Sequence, residues 1–176
     1  MQSIYLAGGC FWCTEAVFLK VKGVKKIIPG YIGGSTINPT YSEICSGKTG
    51  HAEAIKCDFD ENKVSLAMIF DIFFLTHDPT QLNRQGNDIG SQYRSAIFFN
   101  DDKQKEIAKE AIKKAELLWN NIIRTELSNK LNFTSAEKYH HDYYKKNPGS
   151  IYCNVLIPPK LDKVKNNYPD FFKNKI

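Results

Sequence analysis

The chain has 176 residues, 42% of them hydrophobic, enough for one domain to bury a core without staples. Its five cysteines are an odd number and exclude a complete internal disulfide framework. The net charge of +5 comes from lysines at 20–26, 103–114 and 160–175, which read as solvated faces and a tail; no arginine-rich or aromatic-interleaved patch supports nucleic-acid binding.

Ile4–Ala7 is a short apolar run and reads as a strand. Gly8 and Gly9 make a sharp turn, and a helix with Val17 and Phe18 as core candidates begins at Phe11. Cys10 therefore sits where the free backbone N–H groups of a helix start converge, a place that favours a thiolate. Phe11 and Trp12 supply an apolar wall beside it. The first seven residues lack the charged and long apolar regions of a secretory signal, so a cytoplasmic, reducing setting with free thiols is expected.

Val24–Ile28 is β-branched and suits a strand, and Pro29-Gly30 with Gly33-Gly34 reads as a turn region. Thr36–Cys45 is loop-like and holds Tyr41. Gly47-Lys48-Thr49 is like part of a phosphate-binding loop, but Thr36–Ser46 lacks the first glycine of that motif, which rejects it. Ala52–Phe59 alternates as a strand and puts Glu53 on one face with Ile55, Cys57 and Phe59. That carboxyl either ends the strand in water or is partly buried with a raised pKa.

Ser65 caps a core helix over Leu66–Leu75, too short to span a membrane. Leu82–Arg94 is a long polar segment with glycines at 86 and 90, and it holds Asp88 and Tyr93. Ser95–Phe99 is a strand. Asp101 or Asp102 caps an amphipathic helix to about Ile123, with Ala108, Ala111, Ile112, Ala115 and Ile122 at helical spacing. Thr125–Leu127 reads as a short strand. Thr134–Glu137 has the pattern of a capping box and predicts a helix to about Lys145. From about 146 the chain reads as irregular, stopped by Asn147-Pro148-Gly149. No repeat or linker divides residues 1–176, so the expected class is one α/β (α+β) domain, a mixed sheet with packed helices.

Three groupings carry chemistry. Cys10-Phe11-Trp12-Cys13 is a C-x-x-C, with Cys13 either a resolving thiol or an inert core residue. A general dithiol–disulfide oxidoreductase would use that pair alone. His51-Ala52-Glu53 is an H-x-E, as in zinc deaminases, but the cysteine pair precedes it where it should follow; a zinc-stabilised binding module is the non-enzymatic alternative. The third grouping is Cys10 as nucleophile with the acid Glu53, the phenols Tyr41 and Tyr93, and Asp88.

Five blocks in order complete the picture. They are Gly9-Cys10-Phe11-Trp12, Gly30-Tyr31 with Gly33-Gly34, Asn38–Tyr41, Thr49–Glu53, and Gln85–Asp88 with Gly90 and Gln92–Ser95. With weaker agreement through His140–Tyr143 and Asn147-Pro148, the sequence resembles the peptide methionine sulfoxide reductase A family. The resemblance implies a two-layer, ferredoxin-like plait that reduces the S epimer of methionine sulfoxide, free or in proteins. It implies Cys10 as attacking thiolate, Glu53 as acid, and Tyr41 and Tyr93 as hydrogen-bond donors to the sulfoxide oxygen. Phe11 and Trp12 would hold the substrate methyl group and Asp88 would anchor the substrate side. A sulfenic acid on Cys10 would condense with a second thiol, and thioredoxin would reduce the disulfide. No metal or organic cofactor is implied, and a monomer is expected. Two features depart from the family pattern: Cys13 stands where many members have glycine, and the late cysteine, Cys153, lacks a glycine-rich setting. Cys153 is the first choice for resolving thiol and Cys13 the second. Cys45 and Cys57 are expected to be structural.

Overall fold

The computed structural model describes residues 1–130 and 132–174; Lys175, the end of the last lysine cluster, lies outside them. In chain order the elements are β1 (Gln2–Ala7), α1 (Phe11–Leu19), β2 (Val24–Ile32), α2 (Tyr41–Cys45), β3 (Ala52–Phe59), α3 (Leu66–Thr76), β4 (Arg84–Gln85), β5 (Asp88–Ile89), β6 (Ala96–Phe99), α4 (Asp102–Trp119), β7 (Glu126–Asn129), β8 (Thr134–Ser135), α5 (Tyr143–Lys146) and α6 (Ile151–Asn167). Strand β3 lies between β1 and β2 and is antiparallel to both, while β6 flanks β1 on the other side. The central order β6-β1-β3-β2 is that of the ferredoxin-like plait, in which α1 carries the chain across the split β1–β2 pair. At the edges, β7 joins parallel to β6 and β8 antiparallel to β2, so the sheet is mixed.

One sheet face carries Ile4, Leu6, Ile55, Cys57, Phe59, Ile97 and Phe99, and it packs with Val17 and Phe18 of α1, Phe70 and Phe73 of α3, and Ala108, Ala111 and Ala115 of α4. Fully burying a side chain such as Phe70 contributes about 1.5–3 kcal/mol. The opposite face holds a smaller set, Tyr5, Ala7, Ile32, Ala52, Ala54, Ala96 and Phe98, with Phe133 against it.

Several local expectations are corrected. Pro29 and Gly30 lie inside β2. The carbonyl of Pro29 accepts from Ala136 N–H at 2.9 Å, so its missing donor also faces away from β3 and costs no bond of that pair. At Gly30 a Cβ would fall 2.4 Å from both the Phe133 ring and the Thr134 carbonyl, so only glycine admits their approach. Tyr41–Cys45, expected as loop, is a helical turn capped reciprocally by Thr40 and Glu43. Helix α4 stops at Trp119, because Asn120 turns left-handed, and leaves Ile122 exposed.

The helix expected over 134–145 does not form. Thr134 and Ser135 pair with β2, and Glu137 accepts from Tyr31 Oη at 3.0 Å and Tyr41 N–H at 3.2 Å. Only a 3₁₀ turn at Lys138–His140 and the single turn α5 follow. The segment from 146, expected to be irregular, is mostly the long helix α6. Ser150 caps it through Cys153 N–H, and Cys153, Ile157 and Val164 are its buried stripe. Pro158 and Pro159 inside it delete two backbone donors; packing of the stripe outweighs that loss.

Candidate active site

Strand β1 delivers the chain to a turn that only glycine makes easily. Gly9 has φ +87°, and a Cβ there would lie 2.7 Å from Gln85 Cγ. Cys10 follows as N-cap of α1; its carbonyl accepts from Cys13 N–H at 3.1 Å, and its side chain is free of any capping bond. The side chain is 8% exposed. It lines a cavity of about 420 Å³ together with Cys13, Asp88, Tyr152 and Lys160. Apolar residues of α6, among them Ile151 and Val155, form the outer wall.

Burial raises the Cys10 thiol well above its ordinary pKa, and the Cys13 side chain and the charge of Glu53 add to this; the backbone N–H of Trp12 pulls the other way. The helix start favours charge at this position, but desolvation of the buried side chain opposes it and raises the thiol.

Glu53 is the second residue of β3, opposite Tyr31, on the helix-facing side of the sheet. It is 1% exposed and accepts the Phe11 N–H at 3.1 Å. Burial pushes its pKa up to about 8 against that N–H, and negative charge at Asp88 and Cys13 pushes the same way. The alternation of β3 had left two outcomes open, and the buried, proton-holding one obtains. Tyr41, on α2, and Tyr93, on a 3₁₀ turn over Ser91–Tyr93, both sense Glu53. Burial first and that charge second hold both phenols far above their ordinary range, as permanent donors.

The aromatic pair divides its work. Phe11 is 1% exposed, with its ring centroid 5.7 Å from Tyr31 and 5.0 Å from His140. Trp12 is only half-buried, stacks on Tyr143 at 3.7 Å, and donates from Nε1 to Nδ1 of His140 at 3.0 Å. That bond requires neutral His140, whose pKa burial lowers.

The family described as peptide methionine sulfoxide reductase matches residues 2–171. The chain belongs to this family. It is 52% identical over 172 residues to the peptide methionine sulfoxide reductase MsrA of Trichodesmium erythraeum, covering 97% of each. It is 50% identical over 174 residues to that of Acinetobacter baumannii strain AYE, covering 99% of this chain and all of the relative. Among solved structures it is similar to reduced Mxr1 from Saccharomyces cerevisiae, with TM-score 0.83 and 32% identity over 88% of this chain and 90% of that one. The methionine sulfoxide reductase A of Corynebacterium diphtheriae gives TM-score 0.77 and 34% identity, over 85% of this chain and 76% of that one.

Against the family expectation, the residues fall as follows. Cys10, Cys13 and Asp88 share the cavity, whereas Glu53, Tyr41 and Tyr93 do not line it; Glu53 is tied to the residue after Cys10, and both tyrosines sense its charge. Asp88 is already engaged, accepting a hydrogen bond from Tyr152 Oη. Phe11 supports Trp12 from the core and offers no free surface. Cys153 is fully buried on α6, in a patch with Cys13, Ala16 and Ile157, and does not line the cavity. Cys57 is buried, whereas Cys45, expected to be structural, is exposed.

His51 of the H-x-E is a structural tie: Nε2 donates to the Thr36 carbonyl at 2.7 Å, and Nδ1 accepts from Gly34 N–H at 3.1 Å. No cluster of three metal-ligating side chains occurs among the described residues, and no described helix is long and apolar enough to cross a membrane. Sequence reasoning missed Tyr152, Lys160 and His140. The block around His140 gave a weak signal; Lys160 looked like one more surface lysine.

Proposed function

We propose that this chain reduces the S epimer of methionine sulfoxide, free or in proteins, with Cys10 as nucleophile and Glu53 as the acid. One observation carries the reading: a carboxyl held neutral near pH 7 is tied to the backbone next to the buried thiol. Sulfoxide oxygen leaves poorly until it is protonated. Glu53 gives its proton to that oxygen while Tyr41 and Tyr93 donate hydrogen bonds to it. Cys10 attacks the sulfoxide sulfur and loses its own proton to Glu53. The S–O bond to the substrate breaks, the oxygen passes to Cys10, and methionine leaves. The thiol is oxidised to sulfenic acid and the sulfoxide is reduced to a thioether, so electrons balance without a metal or organic cofactor. Trp12 offers the apolar contact for the substrate methyl group, backed by Phe11, and Asp88 borders the substrate side.

A second thiol then forms a disulfide, which thioredoxin reduces in a cytoplasmic setting. Mxr1, 32% identical in its reduced form, has also been solved in complex with Trx2. The test is turnover of the separate S and R epimers, first with dithiothreitol and then with thioredoxin. Turnover of S alone with both reductants is expected; no turnover of either epimer, or turnover that survives Cys10→Ser, overturns the reading.

A further inference from the structure

Glu15 is a buried carboxyl that the reaction above does not use. It lies on α1 three residues after Trp12, so the two side chains share one face of the helix. It is 3% exposed and makes no ion pair among the described residues. Its two oxygens divide between two backbone donors. Oε1 accepts from Asp142 N–H at 3.0 Å and Oε2 from Tyr143 N–H at 3.4 Å. A carboxyl inside a protein is costly unless such donors meet it.

The stretch that Glu15 holds has little regular structure of its own. Residues 136–142 form one 3₁₀ turn and no strand, and α5 is a single turn. Asp142 takes a left-handed backbone, φ +54°, and its own side chain does not cap α5. Such a conformation persists in a residue other than glycine only where its surroundings fix it.

The same stretch covers Trp12. The ring of Tyr143 stacks on the indole with centroids 3.7 Å apart and planes 5° apart. His140 Nδ1 accepts the indole Nε1–H at 3.0 Å. Helix α1 therefore grips the stretch twice, through Trp12 on its side chains and through Glu15 on its backbone. With the backbone of Asp142 and Tyr143 fixed, the Tyr143 ring limits where the indole can turn.

We infer that Glu15 is a positioning residue: by holding the backbone of Asp142 and Tyr143 it sets Tyr143 against Trp12, and so sets the apolar contact that Trp12 offers the substrate methyl group. The inference rests on Trp12 making that contact, as proposed above. A contact made equally with substrate and transition state changes KM and leaves kcat. The charges nearby suit a carboxylate in this place. Burial pushes the Glu15 pKa up to about 7 and Asp142 adds to it, while the two N–H groups and the charge of Lys146 pull it down. Lys20 and Lys145 line the groove beside it, where α6 brings Asn154 and Leu161.

The experiment weakens the hold and reads Trp12 directly. Trp119→Phe leaves Trp12 as the single indole. In that background Glu15→Gln keeps the side-chain volume but turns an amide N–H toward one of the two backbone donors. Trp12 emission should move to the red and acrylamide should quench it more, with the far-UV circular dichroism unchanged. KM for S-methionine sulfoxide should rise about ten-fold near pH 7.5, with kcat nearly unchanged. Tyr143→Leu, which removes the stack itself, should raise KM alone, and adding Glu15→Gln to it should raise KM little further. Glu15→Asp, which draws the carboxyl back by one methylene, should act as Glu15→Gln does but less, and it serves if the glutamine variant does not fold. Emission and KM equal to wild type in these variants overturn the role. So does a loss confined to kcat, or full additivity with Tyr143→Leu. If wild type forms no methionine while the emission shifts as stated, the reductase reading has failed and not the hold of Glu15 on Trp12.

Discussion

The carboxyl of Glu53 accepts the backbone N–H of Phe11 at 3.1 Å, which ties the acid of β3 to the first turn of the helix that carries Cys10. Glu53 and Cys10 thus share one joint between sheet and helix. Glu53→Gln keeps an acceptor for that N–H and removes the proton. Turnover of methionine sulfoxide should fall by about 10²–10⁴-fold with the fold intact. Wild-type turnover should decline above pH 8 as Glu53 ionises. Steady-state kinetics from pH 6 to 9.5 on both proteins check this; a wild-type profile flat through pH 9 contradicts it.

The same proton appears in stability. Glu53 is held at about 8 and Glu15, whose carboxylate accepts from Asp142 and Tyr143 N–H, at about 7, both from an unfolded value near 4.5. Between those values the folded chain binds more protons than the unfolded chain, so stability is fullest below about pH 4.5 for these groups and is lost as pH rises toward 8. Each pKa unit is worth about 1.4 kcal/mol before screening. Urea denaturation at pH 5.5 and 8 should show wild type weakening across that interval, and Glu53→Gln weakening less.

Tyr152 links α6 to the polar loop through Asp88. Tyr152→Phe should leave the fold unchanged and raise KM for a peptide sulfoxide several-fold, because Asp88 is freed to move. Asp88→Asn should shift KM as well. In the double variant the two effects should fall short of additivity, as expected for groups that share one bond.

Gly30→Ala tests the close approach of Phe133 and Thr134 across β2. The added methyl meets atoms at 2.4 Å, one of them backbone. A loss of about 1–3 kcal/mol is expected, by analogy with overpacked cores. A thermal midpoint equal to wild type would show that β8 can yield without cost.

What could be read from sequence depended on how local its cause was. The Gly8-Gly9 turn and the Cys10 N-cap are local and were legible. The face of Glu53 was legible too, because strand alternation puts it beside Ile55 and Cys57, but whether that end of the strand meets water or the core depends on Phe11 and α1 packing over it. Gly30 was misread because its partner, Phe133, lies a hundred residues away. Helix α6 was hidden by Pro158 and Pro159, although Cys153, Ile157 and Val164 were spaced to pack. Thr134–Glu137 had the letters of a cap, but Glu137 is drawn to Tyr31 and Tyr41. Lys160 sits in a lysine-rich stretch, and only its contact with Thr76 separates it from solvated neighbours.

Helix α6 also bears on how the protein comes into being. Val21 bridges to Phe172, Lys22 N–H donates to Phe171, and Lys173 N–H donates to Lys20. The wall that shelters Cys10 and Cys13, built from Ile151, Tyr152 and Val155, likewise comes from a segment made some 140 residues later, and forming such long-range contacts is slow. During synthesis the two thiols emerge early and wait uncovered. A chain refolded in oxidising buffer should be trapped by bridges made in that interval, and a chain refolded with excess reductant should escape them.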